Sequence, residues 1–120
     1  MKKSVQVLAY EIIKNLSSRE KISKIIDMCK KGNIVMLEGR LTPEEENELT
    51  TNALREVNSK FTGVEIAFIN STQTSSLTEK IKTVLLNLIA KERIGITVIG
   101  PSRIIKDIKM NPSKLEILLK

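Results

Sequence analysis

Gly32-Asn33-Ile34-Val35-Met36-Leu37-Glu38-Gly39-Arg40-Leu41-Thr42-Pro43-Glu44-Glu45-Glu46 contains a helix stop, a strand, a turn and a helix start. Glycine ends helices readily because it adopts left-handed backbone without steric cost. Ile34–Glu38 has the length and apolar character of a buried strand. Thr42, Pro43 and Glu45 supply an N-cap, a proline at the first helical position and an acid three residues past the cap.

The same grammar extends in both directions. Upstream, Val5–Ala9 has strand character, and Ser17-Ser18-Arg19-Glu20 forms a capping box before Ile22, Ile25, Ile26 and Cys29 at helical spacing. Downstream, Leu49, Ala53 and Val57 predict a thin core stripe, and Gly63 leads to strands at Val64–Ile69 and Ile94–Ile99. Ser71–Ser76 is loop-like, and Ser76–Glu79 offers another capping box. Behind it Leu77, Ile81, Val84, Leu85 and Leu88 make a strongly amphipathic helix. Gly100-Pro101 opens a short helix with Ile104, Ile105 and Ile108. Asn111-Pro112 starts a last piece carrying Leu115, Ile117, Leu118 and Leu119, with helix slightly favoured over strand.

The four strand runs start about 30 residues apart with helical patterns between them, as in βαβ units. The expectation is one α/β domain over residues 1–120, with about four mostly parallel strands and four or five helices. A ferredoxin-like α+β arrangement is the alternative, with the first strand as an antiparallel edge.

Composition narrows the chemistry. Hydrophobic residues at 41% give enough apolar material for a core, so the chain is not a disordered one. Histidine and tryptophan are absent, and aromatic residues are 2%. That disfavours Ser-His and Cys-His hydrolases, zinc enzymes and surfaces that stack unpaired bases. The single cysteine, Cys29, excludes an internal disulfide and sits on an apolar stripe. No apolar stretch approaches a membrane span, so a cytoplasmic protein is expected.

The net charge is +6, compatible with an anionic partner. Its distribution tempers that reading: residues 1–32 carry +5, residues 33–63 carry −3 and residues 64–120 carry +4. Arg93, Lys106 and Lys109 are candidate phosphate contacts, and Arg103, Lys106 and Lys109 roughly share one helical face. A solvated face explains the same residues.

Neither a P-loop nor a G-x-G-x-x-G sequence occurs, so nucleotide hydrolysis and Rossmann chemistry are disfavoured. Glu44, Glu45, Glu46 and Glu48 suit the positive end of a helix better than a metal site. Ser102 has no accompanying base. No catalytic, cofactor or metal residue is therefore assigned. Two strand exits remain: Glu38-Gly39-Arg40, and Gly100-Pro101-Ser102-Arg103. In an open parallel sheet both would reach the carboxyl edge, where ligands and partners dock. These seven residues are the candidate partner-binding set, although turn-making alone also accounts for them.

The run Gly32–Glu46 and the later Gly95-Ile96-Thr97-Val98-Ile99-Gly100-Pro101 resemble two signatures of the archaeal OapB/ArvB family. The resemblance covers essentially the whole chain. It implies a gene beside an Era-like small GTPase and a zinc-ribbon protein, near a replication origin, with a link to extracellular vesicle formation. A non-catalytic GTPase partner is then expected, peripheral to the membrane only through its partner. Ser71–Arg93 departs from the family by being longer and richer in lysine. The second expectation is an RNA- or ribosome-associated module that grips phosphates through basic residues.

Overall fold

The computed structural model describes residues 5–70, 83, 95–111 and 114. Their elements are β1 (Val5–Leu8), α1 (Tyr10–Ile13), α2 (Ser18–Lys30), β2 (Ile34–Glu38), α3 (Pro43–Arg55), β3 (Glu65–Asn70), β4 (Gly95–Gly100) and α4 (Ser102–Met110). They belong to a single small domain whose sheet has the strand order β1-β2-β4-β3.

Both long helices start as their sequences predict. Ser17 accepts the Glu20 backbone N–H while the Glu20 carboxylate accepts the Ser17 backbone N–H. Thr42 and Glu45 repeat that exchange at α3. Each cap satisfies N–H groups that no helical carbonyl can reach, and losing one costs about 1 kcal/mol. Gly32 closes α2 with φ of 88°, where a side chain would be strained. The expected stripe Ile22, Ile25, Ile26 and Cys29 is buried. Leu49 and Ala53 of α3 are buried too, but Val57 is 46% exposed because the helix stops at Arg55. The short helix α1 lies between the first strand and the first capping box.

The mostly parallel sheet is not what forms. Only β1 and β2 run parallel, with Val5 opposite Ile34 and Leu8 opposite Leu37. Strand β4 lies between β2 and β3, antiparallel to both. The cause is where the chain re-enters. Asn70 at the end of β3 faces Gly95 at the start of β4, so the chain re-enters the sheet at the end where β3 leaves it. Alternation of strands and helices predicts which elements exist and leaves that choice open. The first strand is an edge, as the alternative expected, but it is parallel to its neighbour and not antiparallel.

Helices cover both faces of the sheet, so its two central strands are apolar on both sides. Val35, Leu37 and Ile99 pack with Ile22, Ile25 and Leu49 from α2 and α3. Ile34, Met36, Ile96 and Val98 pack with Ile105 and Ile108 from α4. Each fully buried isoleucine or leucine contributes about 1.5–3 kcal/mol. The loop Ser71–Ser76, the capping box Ser76–Glu79, the helix through Leu77–Leu88 and the last piece through Leu115–Leu119 lie outside the described residues. Among the described residues, no helix is long and apolar enough to cross a membrane.

Candidate functional site

Because β2 and β4 are antiparallel, their exits lie at opposite ends of the sheet. Glu38, Gly39 and Arg40 stand beside the start of β4, whereas Gly100, Pro101, Ser102 and Arg103 stand beside the starts of β2 and β3. At a rise of about 3.4 Å per residue the two exits are ~17 Å apart. The seven candidate residues therefore form two groups and not one shared edge.

The β2 exit is held by its backbone. Gly39 adopts φ of 91°, its N–H donates to the Gly95 carbonyl at 2.9 Å, and the Thr97 hydroxyl donates to the Gly39 carbonyl at 2.7 Å. Thr97 is the polar residue in an otherwise apolar strand, buried because this bond satisfies it. The turn then places Arg40 in solvent with its guanidinium carbon 4.5 Å from the centroid of the Phe68 ring. A cation over an aromatic ring at that distance gains about 0.5–1 kcal/mol when exposed. Glu38 is half-buried at the last position of β2.

Leu41 then enters the core, and α3 starts with Glu45 buried beneath it. The Glu45 carboxylate accepts the Thr42 backbone N–H at 3.0 Å, the Ser18 hydroxyl at 3.0 Å and the Lys21 ammonium at 2.8 Å. Burial alone would raise its pKa. The Lys21 hydrogen bond, the Thr42 and Ser18 bonds and the Lys21 charge together outweigh that and hold the carboxyl below its usual range. Glu45 is thus a clasp between α2 and α3. Its neighbours differ: Glu44 is exposed, and Glu46 and Glu48 are half-buried. Among the described residues, no three acids or cysteines gather in a metal-binding group.

The β4 exit is packed. A Cβ on Gly100 would meet Ile34 Cγ1 at 3.2 Å and Ile105 Cδ1 at 3.4 Å, so glycine is there for space. Pro101 occupies the N-cap of α4 without a side-chain cap, and Ser102 is half-buried. The Lys109 ammonium donates to Glu65 at 2.9 Å, and Ser102 makes a long 3.5 Å contact with the same carboxylate. The Lys109 bond holds Glu65 below the usual carboxylate range against partial burial, aided by the charges of Lys109 and Lys106. Arg103 and Lys106 are exposed. Of the three candidate phosphate contacts, Lys109 is engaged within the protein, Lys106 is open and Arg93 lies outside the described residues.

Two further features are quiet chemically. Burial pushes the Cys29 thiol up to about 12, so it stays protonated and unreactive. A groove of 390 Å³ between α2 and α3 sets Arg19 and Arg55 against Asp27 and Glu56, so its charges offset one another.

Sequence spacing does not point to the contacts of Phe68, Glu65, Lys21 and Ser18. Their partners are distant in sequence, but Thr97 carried a readable signal as a hydroxyl within an apolar run.

The class this geometry defines is a small single domain with helices on a mixed four-stranded sheet, presenting an exposed arginine at each of two strand exits, Arg40 and Arg103. Residues 13–120 match the family of origin-associated protein OapB, and the chain belongs to that family. No curated protein and no solved structure matches it.

Proposed function

We propose that this chain is a non-catalytic accessory protein that binds a small Era-like GTPase, in an archaeal setting connected with extracellular vesicle formation. The observation that carries the reading is Arg40, exposed at the β2 exit and steadied over Phe68. Presenting a charge on a rigid turn is useful for recognition, and the backbone bonds of Gly39 make this turn rigid. The partner's identity comes from the family resemblance, which also places a zinc-ribbon protein in the same gene group. The protein would act in the cytoplasm and reach a membrane only through its partner.

Calorimetry against the Era-like GTPase encoded beside this gene tests the reading. Saturable binding in the GDP state or the GTP-analogue state is expected. No binding in either state, with both proteins folded, overturns it. The RNA reading draws on the basic face of α4, where Lys109 is already paired with Glu65. It would be favoured instead by salt-dependent binding to ribosomal RNA that weakens on changing Arg103 and Lys106 to alanine.

A further inference from the structure

Arg40 has an aromatic ring beneath its charge and, among the described residues, no hydrogen bond or ion pair on its guanidinium. A ring contact leaves all five N–H donors available. It also narrows the side chain's freedom, so less entropy is lost when those donors meet an acceptor. The surroundings select the acceptor. Residues 38–48 contain five glutamates and no other cation. Glu45 is occupied by Lys21 and Glu46 lines a groove with Lys109, whereas Glu44 is exposed and Glu48 half-buried, four residues apart on one face of α3. A polyphosphate backbone brings closely repeated negative charge and would be repelled by such neighbours. A single carboxylate flanked by cations would meet Arg40 and its glutamate neighbours with complementary charge throughout.

We infer that Arg40 anchors one carboxylate on the protein partner, whose lysines or arginines face Glu44 and Glu48. Phe68 is the positioning residue for that contact. This inference rests on the reading that the partner is the Era-like GTPase, and it adds the chemistry of the contact.

The experiment is a binding series with the full chain and that GTPase in both nucleotide states. Arg40→Ala is expected to weaken binding about tenfold or more, as for a central interface arginine. Arg40→Lys should lose most of the same affinity, because an ammonium lacks the planar fork that fits a carboxylate. Phe68→Leu should weaken binding about threefold while Phe68→Tyr keeps it, since only the ring is required. Each variant is compared at unchanged melting temperature, so that a folding defect is separated from a lost contact. Arg40→Glu should abolish binding, and one Asp→Lys or Glu→Lys change on the GTPase should restore it. If the wild type binds and every Arg40 variant stays within about twofold, the inference is wrong and the functional reading stands. A loss confined to the GTP-analogue state that no partner substitution restores would mean a phosphate contact and overturn the carboxylate. Absence of wild-type binding overturns both.

Discussion

The two ends of the sheet start from similar material, each with a glycine at a strand exit, an arginine within three residues and a glutamate paired to a lysine. At the β2 end the glycine serves a backbone conformation: Gly39 has φ of 91° and nothing within 4 Å of where a Cβ would lie. At the β4 end Gly100 serves space, with Ile34 and Ile105 against it. The glutamates differ in the same sense. Glu45 is sealed under three donors, while Glu65 meets Lys109 with 30% and 45% of the two side chains exposed. Arg40 is then the residue left free on a rigid support, whereas the basic face of α4 already has a carboxylate on it. Residue type at a strand exit therefore says little until the neighbours are known.

Cutting the two carboxylates is the harshest way to break this comparison. Glu45→Ala leaves the Lys21 ammonium, only 17% exposed, without its partner and removes the acceptor of Ser18 and of the Thr42 backbone N–H. A loss of about 3 kcal/mol is expected in urea unfolding. Glu65→Ala breaks an exposed pair and should cost about 0.5 kcal/mol. Equal losses would mean that the ends are held alike.

The glycines sharpen the contrast at the next level. Gly39→Ala forces a side chain into left-handed backbone and should cost about 1–2 kcal/mol, although no atom is in its way. Gly100→Ala has ordinary backbone and should cost less, about 0.5–1 kcal/mol, because Ile34 and Ile105 need to give only a few tenths of an ångström. Gly100→Val should then exceed Gly39→Ala, while enlarging the side chain at 39 beyond alanine should add little from crowding. Urea midpoints for the four variants check the order.

What was legible in the sequence follows from distance along the chain. The capping boxes join residues three apart, so Ser17 with Glu20 and Thr42 with Glu45 are visible as spacing. The α2 stripe is visible for the same reason. Strand direction is settled by where β4 re-enters beside β3, which no local pattern encodes. That is why the two exits were expected on one edge and are found on two. The contacts that distinguish the ends are longer still: Ser18 to Glu45 spans 27 residues, Lys109 to Glu65 spans 44 and Thr97 to Gly39 spans 58. Arg40 was visible as a candidate, but its ring partner depends on β3 lying two strands from β2. Glu45, by contrast, was legible as the acid of a capping box, and only the approach of α2 makes it a clasp between helices.

The gentlest probe of the comparison is pH. Folding lowers the pKa of both carboxylates, Glu45 through donors that overcome its burial and Glu65 chiefly through Lys109. A group with a depressed folded pKa stabilises the native state fully above its unfolded pKa, about 4.3 for glutamate. That stabilisation is lost as pH falls through the lower folded value. Wild-type stability should therefore be flat above about pH 5 and decline below it. Glu45→Gln should remove part of the decline and so run flatter through the acid range than the wild type. Glu65→Gln should flatten it less. Salt then separates the two ends: screening reaches the exposed Glu65–Lys109 pair and leaves the buried Glu45–Lys21 pair largely intact. In high salt the difference between wild type and Glu65→Gln should shrink toward zero, while that between wild type and Glu45→Gln persists. Unfolding curves across pH at two salt concentrations measure this. A Glu45 difference that vanished with salt would place both pairs in solvent and erase the distinction between the two ends.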